Sequence, residues 1–111
     1  MNELLTFNNE LTMSSREIAT LCSKHHKNVL RDIDTLNETY EQMAMLKVEQ
    51  GYYTADNGQA YREYHLTKEQ TIDLVTSYST ELRIKINRRW QELEQGKTKL
   101  LPQTKLEALK A

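Results

Sequence analysis

Residues 14–33, SSREIATLCSKHHKNVLRDI, decide how this chain is read. Ser14-x-x-Glu17 has the form of a capping box, in which the serine accepts from the Glu17 N–H and the glutamate reaches back. A short helix is expected from there to about Cys22, with Ile18, Ala19 and Cys22 turned inward. Ser23 then fits an N-cap, which opens a second helix near Lys24. Along it Val29, Ile33, Leu36, Tyr40 and Met43 recur at spacings of three and four and form one apolar stripe. Two helices joined within about three residues make a helix-turn-helix layout.

The second helix opens in cations and polar rings. The first turn of any helix exposes unpaired N–H groups and the positive end of its dipole, a site suited to phosphate. Lys24 and Lys27 add charge there, while His25, His26 and Asn28 can donate to base edges or phosphate oxygens. Arg31 lies one turn beyond Lys27, and Arg16 on the preceding helix joins the candidate contact set. The plainer reading of KHHK is a solvated helix start.

Downstream, Tyr52-Tyr53 and Tyr61 to Leu66 flank TADNGQ, whose Asn57-Gly58 is a strong hairpin signal. A ribbon there is the wing that a winged helix-turn-helix requires, with Gln59 and Arg62 placed to touch backbone or minor groove. Thr67-x-x-Gln70 is another capping box, and it starts a helix with Ile72, Val75 and Tyr78 on related faces. Ser79 or Thr80 caps a last long helix that runs to about Gln95 and stops at Gly96. Leu82, Ile86, Trp90 and Leu93 share its core face, and Ile84 lies opposite. Its RIKINRR block offers Arg83, Arg88 and Arg89 as a phosphate platform or as flanks of a dimer seam. Upstream, Leu4, Leu5 and Phe7 followed by Leu11 and Met13 suggest a small hairpin around Asn8-Asn9.

Composition sets outer bounds. The chain has 111 residues, with 15 Lys+Arg against 16 Asp+Glu and a formal net charge of -1, so an indiscriminate polyanion binder is disfavoured. The charge is nevertheless sorted: residues 23–31 hold three cations and no acid, and the stretch from Asp32 to Glu49 is acidic. One cysteine forms no internal disulfide, and Cys22 with His25 is no zinc signature, so no metal and no cofactor are expected. No apolar run approaches the roughly 20 residues of a membrane helix, and the acidic N-terminus has no signal layout. The sequence holds no P-loop, GxSxG, GxGxxG or HExxH, and no enzyme is expected. A bacterial cytoplasmic module of α+β class is the expectation: a winged helix-turn-helix-like domain over 1–95 and a basic tail or linker over 96–111.

The pattern also resembles the phage regulatory protein Rha family over roughly residues 12–95. The run from Ser15 to Ala19, then Lys24-x-His26-x-x-Val29, is similar to that family's opening signature. The tyrosine hairpin, the Leu66-Thr67-Lys68 helix start and the closing RWQELE at 89–94 follow in the family's order. The resemblance implies a phage- or prophage-encoded transcription regulator that binds double-stranded DNA and is tied to lytic or lysogenic control. A homodimer would match a two-part operator. The alternative is an antirepressor-like module that sequesters a phage repressor or a host regulatory protein. Two features depart from the general helix-turn-helix pattern: the turn at Leu21-Cys22-Ser23 lacks glycine, and Asp32 stands where an apolar residue is usual.

Overall fold

A computed structural model describes residues 11–99, with side chains as far as residue 96. The expected hairpin at Asn8-Asn9 and the tail beyond residue 99 lie outside it. In chain order the elements are β1 (Met13–Ser14), α1 (Ser15–Cys22), α2 (His26–Gln42), β2 (Glu49–Thr54), β3 (Ala60–Leu66), α3 (Lys68–Val75) and α4 (Thr80–Lys99). The class is α+β: among the described residues, four helices pack with a three-stranded antiparallel sheet of order β1-β3-β2. The arrangement is compatible with a winged-helix-like domain.

The sheet is anchored where its most apolar pair meets: Met13 lies opposite Leu66, and both are fully buried. β2 and β3 pair from Glu49↔His65 to Thr54↔Ala60. The hairpin expected at Asn57-Gly58 is present, with a different turn from the two-residue type that Asn-Gly favours. Gly58 N–H donates to Ala55 O at 2.9 Å, Ala55 N–H donates to Gln59 O at 2.9 Å, and Gly58 alone in the loop has a positive φ, of 84°. This is a three-residue loop closed by a left-handed glycine. Asn57 serves through its side chain, accepting from Gln59 N–H at 2.9 Å. At Gly51 a Cβ would lie 2.8 Å from His65 Nε2, because His65 crosses over that position to pair with Glu63 at 3.2 Å.

α1 is the central element and contacts α2, α4, β1 and β3. Its Ile18, Ala19 and Cys22 are buried with Val29 and Ile33 of α2, Leu66 of β3, and Ile86 and Trp90 of α4. Ile33 is fully buried and supplies the packing, while Asp32 beside it accepts from Tyr78 O–H at 2.8 Å. An acid therefore fits where the general pattern has an apolar residue.

Several local expectations are corrected. Ser14 accepts from Glu17 N–H at 3.1 Å, but the Glu17 carboxylate pairs with Arg89 on α4 instead of closing the capping box. Ser23 closes α1 and does not open α2. It adopts the left-handed conformation (φ 54°, ψ 41°), its N–H donates to Thr20 O, and Lys24 N–H donates to Ala19 O. α2 begins two residues later than expected, with His25 as an N-cap that makes no side-chain bond. Its stripe ends at Tyr40: Met43 is past the helix end and 62% exposed, and Leu36 is half-buried. On α3, Thr67 and Gln70 complete the capping box, but Ile72 is exposed and Thr71, Leu74 and Val75 face inward. α4 continues through Gly96 to Lys99, with Ser79 Oγ accepting from Leu82 N–H at its start.

Candidate nucleic-acid interface

The turn between α1 and α2 leaves His25 and Lys27 exposed at the start of α2. Asn28 and Val29 N–H groups both bond back to His25 O, so the N–H groups of His26 and Lys27 are the helix's own unpaired donors. Around this end lie His25, Lys27 and Arg31, all exposed. Lys27 makes no ion pair among the described residues, and Arg31 donates to Asn28 Oδ1 at 2.9 Å along the same helix. Lys24 rests over the Tyr78 ring, 4.5 Å from its centroid, and is held near the turn.

His26 is pinned, whereas the exposed His25 has no side-chain partner among the described residues. Ser15 Oγ accepts from Tyr64 N–H at 3.0 Å and lies 2.8 Å from His26 Nε2. The hydroxyl donates to Nε2 when the ring proton is on Nδ1 and accepts from it when the proton is on Nε2. Burial, reinforced by Arg16, holds His26 below the ordinary imidazole value and favours the neutral ring. The ring also meets Tyr53 edge-on, with 6.1 Å between centroids.

The wing is fastened beside this helix end at two places. The Arg16 guanidinium stacks 3.8 Å above the Tyr53 ring, and Tyr53 packs on Tyr61 at 5.9 Å. Tyr61 O–H donates to Gln59 Oε1 at 2.8 Å, which sets Gln59 at the exposed hairpin tip. Arg16, His26 and Gln59 are thus joined through Tyr53 and Tyr61 by one continuous set of contacts, beside the exposed His25 and Lys27. The second fastening takes Arg62 out of the exposed set. Its guanidinium grips Asp34 with two bonds, at 2.9 and 3.2 Å, and Tyr64 O–H donates to the same carboxylate at 2.6 Å. The Arg62 bonds hold the Asp34 carboxyl below the usual range. The first two acids after Arg31 are therefore tied to other elements, Asp32 by Tyr78 and Asp34 by the wing.

The RIKINRR cations separate. Arg89 pairs with Glu17 and Glu92, and Lys85 lies 3.8 Å from Glu81. Lys24 and Lys85 both act on the Cys22 thiol, which burial raises, so this stretch of α4 runs beside the turn. Arg83 faces α3 across a groove shared with Ile72 and Thr76, on another flank of α4. Arg88 is exposed and unpaired among the described residues. Three side chains that sequence reasoning missed organise the site: Ser15, Tyr53 and Asp34. Their roles depend on partners 11 to 49 residues away, which no local pattern encodes.

The family model for the phage regulatory protein Rha matches residues 13–95. The chain belongs to that family. The matched span takes in β1 through most of α4, and so includes the whole turn and wing just described. A relative of this Rha family member from Haemophilus influenzae is 32% identical over 77 residues, covering 68% of this chain and 44% of the relative. The chain thus spans under half the length of that curated relative. No solved structure matches it. Among the described residues of this Rha protein, no helix is long and apolar enough to cross a membrane, and no three His, Cys, Asp or Glu are grouped to hold a metal.

Proposed function

We propose that this Rha family member is a phage transcription regulator that binds double-stranded DNA by inserting the start of α2 into the major groove. One observation carries the reading: α2 is sorted along its length. Its first turns present His25, Lys27 and Arg31 to solvent, while the next two acids, Asp32 and Asp34, are held by Tyr78 and Arg62. An incoming phosphate therefore meets cations and free N–H groups at the start of α2, where the Asp34 carboxylate is already paired with Arg62.

In the docked complex Lys27 and Arg31 contact backbone phosphates, His25 and Asn28 reach base edges, and Arg16 contacts phosphate from its seat on Tyr53. Gln59 at the wing tip lies over the adjacent groove. Arg88 and Lys85 extend the positive edge along α4. Arg62, Arg89 and His26 position these groups without leading the contact. The role requires no cofactor, metal or catalytic step.

Selection of bound duplex from fragmented phage and host genomic DNA tests the reading. Enrichment of a discrete motif supports it. Failure to enrich any duplex at low salt, where phosphate contacts are strongest, contradicts it.

A further inference from the structure

A second face of the molecule has no part in this DNA reading. Between α3, α4 and the connection from α2 to β2 lies a groove of about 1060 Å³ whose walls include Met45, Leu46 and Trp90. Among the described residues its rim carries Glu69, Asp73, which accepts from Tyr40 O–H at 2.6 Å, and Glu94, which pairs with Lys68 at 3.0 Å. Leu46 is 89% exposed beside it, and Met43 and Met45 are also exposed. An apolar cluster projecting from a connection is unusual unless something covers it.

Next to this groove, and sharing Lys68 and Trp90 as walls, is a second one bearing Ile72, Ile84 and Arg83. Ile72 and Ile84 are each 49% exposed. One face therefore carries an acidic apolar groove and, contiguous with it, a second groove edged by a ridge of α4 that bears the exposed Arg83 and Ile84. That is the requirement for a two-fold interface, in which the same patch must complement itself. Nucleic acid is repelled by the acidic rim.

The geometry points to a homodimer in which the Arg83–Ile84 ridge of each copy enters the Leu46–Glu69 groove of the other. Ile84 packs against Met45 and Leu46 across the axis, and Arg83 meets Glu69 and Asp73. The pairing leaves His25, Lys27 and Arg31 uncovered and so presents two reading heads. It requires no DNA, and it stands or falls separately from the DNA reading.

Sedimentation equilibrium of the full chain without DNA, over about 1 to 100 µM, is the test. A reversible dimer is expected. Arg83→Glu alone and Glu69→Arg alone each weaken it about tenfold or more, as like charges come to face each other. The two reversals in one chain restore it to within about threefold of wild type. Leu46→Ser, at an exposed position that leaves the fold intact, also weakens it. A chain monomeric at the top concentration overturns the inference, whether or not another protein occupies the groove. A dimer indifferent to both reversals overturns it too, as does a double reversal no tighter than the singles.

Discussion

At the residue scale, the decisive groups are small or polar side chains that join distant segments. Ser15 is fully buried, and its hydroxyl serves both the Tyr64 N–H and the His26 ring. Ser15→Ala leaves that N–H without an acceptor, so a loss of about 1–3 kcal/mol is expected in urea unfolding. His26 titrates below its ordinary value in the folded protein, so the folded state binds fewer protons than the unfolded chain. Its contribution to stability is complete above about pH 6.5 and declines as the pH falls from there toward the depressed folded value. NMR titration of the His26 ring should place its midpoint below about 6.5, and a midpoint above that contradicts the buried neutral assignment. Asp34 behaves similarly in a more acidic window. Its lowered pKa means that stability present above about pH 4 is lost as the pH falls through the folded value. Asp34 and Arg62 are both more than a third exposed, so the loss on Asp34→Asn is about 1 kcal/mol or less.

At the element scale, the sequence is readable where one element's own periodicity or caps suffice. α1 is announced by Ser14 and by Ile18, Ala19 and Cys22, α3 by its full capping box, and the β2–β3 ribbon by Asn57-Gly58. Legibility fails at junctions. Serine caps helix starts so often that Ser23 reads as an opening, whereas here it occupies the left-handed position that closes α1. Nothing local separates these roles; the choice is made by how α1 and α2 pack. Because Ser23 adopts a conformation that favours glycine, Ser23→Gly should stabilise the fold, or cost almost nothing, with an expected gain of about 0.5–1 kcal/mol. A clear loss in thermal unfolding would mean that the turn is held by the serine itself. Gly58→Ala, at φ 84°, should cost about 1 kcal/mol and loosen the wing tip before the core. Amide exchange at Ala55 and Gln59 reads that loosening. The sequence also could not show that Arg83 lies on a different flank of α4 from Arg89 and that Arg89 is tied to Glu17, since four cations in seven residues look like one patch until their partners are known.

At the scale of the whole molecule, a net charge of -1 conceals a separation of charge. The turn end gathers His25, Lys27, Arg31 and Arg16, while Glu69, Asp73 and Glu94 gather around an apolar groove. Residues 13–95 place the chain in the phage regulatory protein Rha family, and the sorted α2 is what supports the proposal that it binds duplex DNA. The most direct measurement is the salt dependence of duplex affinity for the wild type and for Lys27→Ala with Arg31→Ala, using a duplex from the genomic selection. Removing one phosphate-binding cation lowers the slope of log affinity against log salt by about 0.9. The double variant should therefore bind more weakly, with a slope shallower by about 1.8. An unchanged slope, with the fold intact, would place the phosphate-binding groups elsewhere and contradict the account.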